Sequence, residues 1–188
     1  MKIIGISGSP SASSRSSWLL QLAQTRLEGV ARSSVVLSVR SLPAQPLLLA
    51  DASHPAIRQA LDRVLDADVV LVSTPIYKAA YSGLLKLFLD LLPQDGLRGK
   101  TVLPLATGGS PAHLLALDYA LKPVLSALGA RDILDGVFAA ESQLPAHDTQ
   151  VYLPHPAILE RLDRSLQVLV ERQPTADATA QAALVSCS

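Results

Sequence analysis

The sequence predicts a doubly wound α/β fold. Three observations carry this reading: five apolar runs of strand length, five helical patterns that alternate with them, and a hydroxyl-rich loop between the first run and the first helix. Strongly apolar strands alternating with helices pack as a parallel sheet covered on both faces.

The first strand spans Ile3 to Ser7, overlapping the apolar run Lys2-Ile3-Ile4-Gly5-Ile6, and the first helix runs from Arg15 to about Ala31. The second strand is Ser34-Val35-Val36-Leu37-Ser38-Val39, followed by a loop with Pro43 and Pro46 as breakers. Pro55 to about Leu65 is the second helix. Val69 to Ser73 is the third strand, introduced by Asp66 and Asp68, and Ser82 to Leu92 is the third helix, with Ser82 placed to cap it. Thr101 to Ala106 is the fourth strand, Ala112 to Leu128 the fourth helix, Ile133 to Phe138 the fifth strand and Pro156 to about Glu171 the fifth helix. Five such units predict a flavodoxin-like five-stranded parallel sheet, order 2-1-3-4-5, with ligands at the carboxyl ends of the strands. Residues 1–172 form the expected domain. The low-complexity segment 173–188 reads as a disordered tail.

The loop Ser7-Gly8-Ser9-Pro10-Ser11-Ala12-Ser13-Ser14-Arg15-Ser16-Ser17 holds seven serines and one arginine. Hydroxyls, backbone N–H groups and a helix N-terminus donate to a phosphate, and Arg15 adds a charge-assisted pair. No Gly-Lys pair follows, so the loop is not a Walker A site, and Gly5 and Gly8 do not give the spacing of a dinucleotide fingerprint. A compact terminal phosphate suits it better than a diphosphate.

The loops after strands three and four converge on the same edge. Thr74-Pro75-Ile76-Tyr77-Lys78-Ala79-Ala80-Tyr81-Ser82-Gly83 offers a stiff backbone and two flat rings. Ala106-Thr107-Gly108-Gly109-Ser110-Pro111 lets backbone approach a planar ligand, with Ser110 and Pro111 opening helix four. Alone, Gly108-Gly109 reads as a tight turn and each tyrosine as surface packing. Together, a phosphate site beside surfaces for a flat heterocycle describes FMN.

The chain carries 16 basic and 16 acidic side chains, so no basic patch points to nucleic acid. It has no apolar run long enough to span a membrane and no signal-peptide core, which predicts a cytoplasmic protein. The only cysteine, Cys187, excludes an internal disulfide, and the histidines His54, His147 and His155 are scattered among loops, so no metal is expected. His113 is read as a solvent-facing residue near the site. An apolar content of 49% against 17% charged residues predicts buried subunit interface. Helix four is apolar almost all round, and Pro123 inside it predicts a kink or π-bulge near Tyr119.

Gly8-Ser9-Pro10 with Arg15-Ser16-Ser17, and the segment from Thr74 to Lys86, resemble NADPH-dependent FMN reductases. The stretch from Thr107 to Pro123 more narrowly resembles the reductases of two-component alkanesulfonate monooxygenase systems. The likeness runs from residue 1 to about 172. It implies a dimer or tetramer that reduces FMN with NADPH and passes reduced flavin to a monooxygenase. It places Ser9, Pro10, Arg15, Ser16 and Ser17 at the phosphate, Pro75, Ile76, Tyr77 and Lys78 along the ring, and Thr107, Gly108, Gly109 and Ser110 near its pyrimidine edge. It also matches Tyr119 to an inserted tyrosine in a π-helix at a tetramer interface, where it is associated with flavin release. No catalytic side chain is implied, because the flavin carries the chemistry. A flavin-retaining quinone or azo reductase, and a non-enzymatic FMN electron carrier, are the alternatives; carriers are usually strongly acidic, and this chain is neutral.

Overall fold

The computed structural model describes residues 1–147 and 151–172. The tail expected over 173–188 lies outside them.

The central strands are β1 (Lys2–Ser7), β3 (Val69–Tyr77) and β5 (Thr101–Gly108), flanked by β2 (Ser33–Ser38) on one side and by β6 (Asp132–Ile133) and β7 (Val137–Ala140) on the other. All pair in parallel along the path β2-β1-β3-β5-β6, with β7 also on β5. This is the expected flavodoxin-like order, with the fifth strand in two pieces. A short antiparallel strand, β4 (Ala80–Tyr81), folds back on β3 and brings the sheet to seven strands.

Side chains alternate across each strand, and the sheet therefore buries two cores. Ile3, Val69, Leu71, Leu103 and Leu105 face α1 (Arg15–Leu27) and α6 (Pro156–Glu171), meeting Leu19, Leu20, Leu162 and Leu166. Ile4, Ile6, Val70, Val72 and Val102 face α3 (Pro55–Leu65) and α4 (Gly83–Leu89), meeting Ile57, Leu61, Leu85 and Phe88.

The expected α3 and α6 appear with their predicted limits. Each opens on the same tripeptide, His-Pro-Ala. His54 Nδ1 accepts from the Ala56 N–H at 3.2 Å, and His155 Nδ1 accepts from the Ala157 N–H at 3.3 Å. Two histidines read as scattered loop residues are thus helix caps, with proline in the first turn where its missing N–H is no loss.

Elsewhere the boundaries shift for identifiable reasons. Helix one stops at Leu27 rather than Ala31, where the Glu28 and Val30 N–H groups turn to carbonyls three residues back, Thr25 at 3.3 Å and Leu27 at 3.1 Å. Helix three stops at Leu89 rather than Leu92. The loop expected after strand two contains α2 (Ala44–Leu48), in which Pro46 sits within the first turn. Strand three continues four residues beyond Ser73, to Tyr77. The Ser73 carbonyl accepts from Gly8 N on the β1 side. Pro75, two residues on, turns its donor-less nitrogen to that same side, past the end of β1, where no ladder bond is lost.

The fifth strand breaks because of Pro104. Leu134 N donates to the Val102 carbonyl, so residues 102 and 104 present their backbone polar groups toward β6 and β7. Pro104 has no N–H to offer there. The pairing shifts from Val102↔Ile133 to Leu105↔Val137, and the extra residue is taken up as a bulge over 134–136.

Helix four is not one α-helix. A 3₁₀ turn over Pro111–Leu114 leads into a π-helix, Leu117–Leu121, and then into α5 (Lys122–Ala127). The Lys122 N–H reaches back five residues to the Leu117 carbonyl. Pro123 cannot donate to the Tyr119 carbonyl, and the widening falls where the sequence places it.

Candidate active site

The β strands end together at Ser7, Thr74 to Tyr77, Gly108 and Ala140, as the pairs Ser7↔Ser73, Pro75↔Thr107 and Gly108↔Ala140 require. A cavity of about 170 Å³ opens at this edge. Ser9, Ser11, Ser13, Ser14 and Arg15 form its polar wall, Pro75, Ile76 and Tyr77 a second wall, and Thr107, Gly108 and Gly109 a third; Glu141 and Tyr152 complete it.

The serine loop is shaped by its own hydroxyls. Ser14 caps α1, and its Oγ lies 2.8 Å from Ser16 Oγ. Ser7 Oγ and Ser17 Oγ are 2.8 Å apart, and Ser9 Oγ accepts from the Ser11 N–H at 3.2 Å. Ser73 Oγ donates to the Ser16 carbonyl at 2.7 Å, which ties the start of α1 to β3. Gly8 makes the crossing to α4 possible: a Cβ there would lie 2.6 Å from Leu85 Cβ. Ser82, as expected, caps α4 by accepting from Leu85 N, and its hydroxyl donates to the Gly8 carbonyl.

The second wall ends in a two-residue hairpin. Lys78 and Ala79 both have positive φ, 49° and 63°, with Tyr77 paired to Ala80 across the turn. That is the conformation that usually calls for Asn-Gly, and here non-glycine residues hold it. Thr74 Oγ1 accepts from Ser82 N at 3.0 Å and fixes the base of the hairpin.

Arg15 lies in the cavity wall. Its Nε donates to the Leu144 carbonyl at 3.0 Å, its Nη1 lies 3.4 Å from Glu141 Oε1, and its guanidinium carbon sits 5.5 Å from the Tyr152 ring centroid. Trp18 meets Tyr152 edge-on, with centroids 5.9 Å apart.

Of the residues named from sequence, Ser9, Arg15, Pro75, Ile76, Tyr77, Thr107, Gly108 and Gly109 line the cavity. Ser16 and Ser17 sit behind it, bonded to other serines, while Pro10 is exposed and accepts from Arg40 Nε at 3.1 Å. Lys78 occupies the exposed hairpin turn, and Ser110 caps the 3₁₀ turn by accepting from Ala112 N. His113 is not solvent-facing as expected. It is half-buried, and its Nδ1 is shielded beneath Gly108 without a hydrogen-bond partner among the described residues. Glu141 and Tyr152 were not legible as site residues, since neither belongs to a motif at that edge.

The donor set fits a phosphate on a flat ring system. Hydroxyls, a guanidinium and the N-terminus of α1 converge on one wall. Facing them, Gly109 leaves open space, since a Cβ there would meet nothing within 4 Å.

Residues 1–144 match the model of the NADPH-dependent FMN reductase family. The chain belongs to that family. Two relatives, both described as FMN reductase (NADPH), come from Escherichia coli strain K12 and Pseudomonas putida strain KT2440. The first is 48% identical over 168 residues, 89% of this chain and 87% of the relative; the second is 47% identical over 178 residues, 93% and 90%. A solved NADH:FMN oxidoreductase, EMOB, superposes with a TM-score of 0.82 at 38% identity, covering 94% of this chain and 92% of that one. As an FMN reductase the chain is an oxidoreductase that uses FMN and a reduced nicotinamide nucleotide. No helix among its described residues is long and apolar enough to cross a membrane.

Proposed function

We propose that this FMN reductase reduces flavin in the cavity at the β1–α1 edge and hands it to a separate flavin-dependent monooxygenase of the alkanesulfonate-desulfonating kind. The supporting observation is the convergence of the serine loop, Arg15, Pro75 to Tyr77 and Thr107 to Gly109 on one opening. Bound there, FMN supplies the ring that accepts a hydride from the nicotinamide. Ser9, Ser11, Ser13, Ser14 and Arg15 hold the phosphate. Pro75, Ile76 and Tyr77 flank the ring from a paired strand. The N–H groups of Gly109 and Ser110, ahead of the 3₁₀ turn, stabilise negative charge at the pyrimidine edge. No side chain here is needed as acid or base.

The π-widened helix supports a homo-oligomer. Tyr119 is 81% exposed, Leu115 56% and Leu114 40%, a patch that a second copy would cover. The resemblance at Tyr119 supports a tetramer in which this surface bears on flavin release.

Steady-state oxidation of NADPH and NADH with FMN, FAD and riboflavin in turn tests the reading. Flavin-dependent turnover, from protein purified without colour, is the expected result. Absence of turnover with any flavin overturns it, and tightly retained yellow colour favours a flavin-retaining reductase.

A further inference from the structure

We propose that Glu141 sets the affinity of the flavin site by competing with the flavin phosphate for Arg15. This rests on reading the serine-lined cavity as the phosphate end of that site. Glu141 begins the 3₁₀ turn Glu141–Gln143, directly after Ala140, the partner of Gly108. It brings a carboxylate into a cavity whose other lining groups are hydroxyls, a guanidinium, rings and backbone.

Arg15 does not need that carboxylate for its position. The Leu144 carbonyl accepts a hydrogen bond from its Nε–H, and the buried Tyr152 ring lies under its guanidinium, braced by Trp18. The ion pair itself is long, 3.4 Å, with the Arg15 side chain 31% and the Glu141 side chain 59% exposed. Such a pair contributes little to stability, and Glu141 is readily displaced. Nη2 and the second Nη1 proton have no partner among the described residues, so the guanidinium can take a phosphate.

A phosphate that takes Arg15 comes to lie beside the Glu141 carboxylate. Two like charges at that range oppose each other, and the opposition acts on phosphate-bearing ligands alone. Glu141 thus neutralises Arg15 when the site is empty and penalises the phosphate when it is full. Both effects favour exchange over retention of FMN.

The test measures dissociation constants for FMN and riboflavin, and FMN dissociation rates, for the wild type, Glu141→Gln, Glu141→Ala and Arg15→Ala. The expected result is that both Glu141 variants tighten FMN about tenfold, the order of one charge-assisted hydrogen bond, with a matching fall in dissociation rate. Riboflavin affinity moves by less than about twofold, because it carries no phosphate. If the Glu141 variants leave FMN unchanged or weaken it, while Arg15→Ala still discriminates FMN from riboflavin, Glu141 is only a brace for Arg15. The inference then fails and the phosphate reading stands. If Arg15→Ala weakens both flavins equally and inorganic phosphate does not compete with FMN, the phosphate reading fails, and the inference with it.

Discussion

His113 Nδ1 lies 2.9 Å from where a Cβ on Gly108 would stand, and in its shielded position it has no hydrogen-bond partner among the described residues. The imidazole is the floor on which the Gly108-Gly109 turn rests. Gly108→Ala must push against that ring and against Phe138, whose Cε2 is 3.3 Å away. Overpacking of this kind costs about 1–3 kcal/mol. Thermal unfolding of the variant checks it, with Tm expected to fall by roughly 2–4 °C per kcal/mol. A Tm equal to the wild type's would mean that the turn and the ring are not in contact.

Arg15→Ala removes the guanidinium from the cavity wall. FMN affinity is expected to fall about 10- to 100-fold, as for loss of a hydrogen bond to a charged group. Riboflavin should lose far less. Fluorescence titration with each flavin gives the comparison, and equal losses would reject the phosphate assignment.

Gly109→Pro deletes one backbone donor from the turn ahead of the 3₁₀ segment. Loss of a preorganised donor to developing charge lowers turnover by about 10²–10³. Steady-state kcat at saturating FMN and NADPH is the measurement. Retained turnover and retained flavin affinity would remove the Gly109 N–H from the mechanism.

Tyr119→Ala trims the most exposed large side chain of the π-widened helix. Light scattering at micromolar concentration should report an oligomer for the wild type and a smaller species for the variant. A monomeric wild type would show that Leu114, Leu115 and Tyr119 face solvent.

The parts of the molecule written in local rules were legible in the sequence. Apolar strands, the serine-rich first loop, Ser82 before α4 and Pro123 four residues after Tyr119 each act through neighbours in the chain. What escaped depends on partners far away. Pro75 reads as part of a stiff loop after strand three, and only the end of β1 beside it, which makes its missing N–H harmless, lets it sit inside the strand. Pro104 reads as part of a regular strand because its effect falls on residues 134–136. Lys78 and Ala79 carry none of the usual hairpin signal, yet they turn β3 back on itself. Glu141 and Tyr152 reach the cavity only through the topology that sets β7 beside β5, so no spacing in the first 110 residues announces them.

The π-helix also bears on how an assembly surface can arise. An α-helix advances about 100° per residue, so one extra residue in a continuous α-helix would rotate everything beyond it out of the core. Taken up in a wide turn, it leaves Leu117, Leu121 and Leu125 pointing inward and adds its side chain to the outside. An exposed apolar face can therefore be gained by a single insertion without repacking the sheet beneath it. The reverse also holds: deleting one residue from 117–121 would close the turn and withdraw the added side chain from the outside, and because the π-helix packs against β4 the hairpin that carries Tyr77 would register the change.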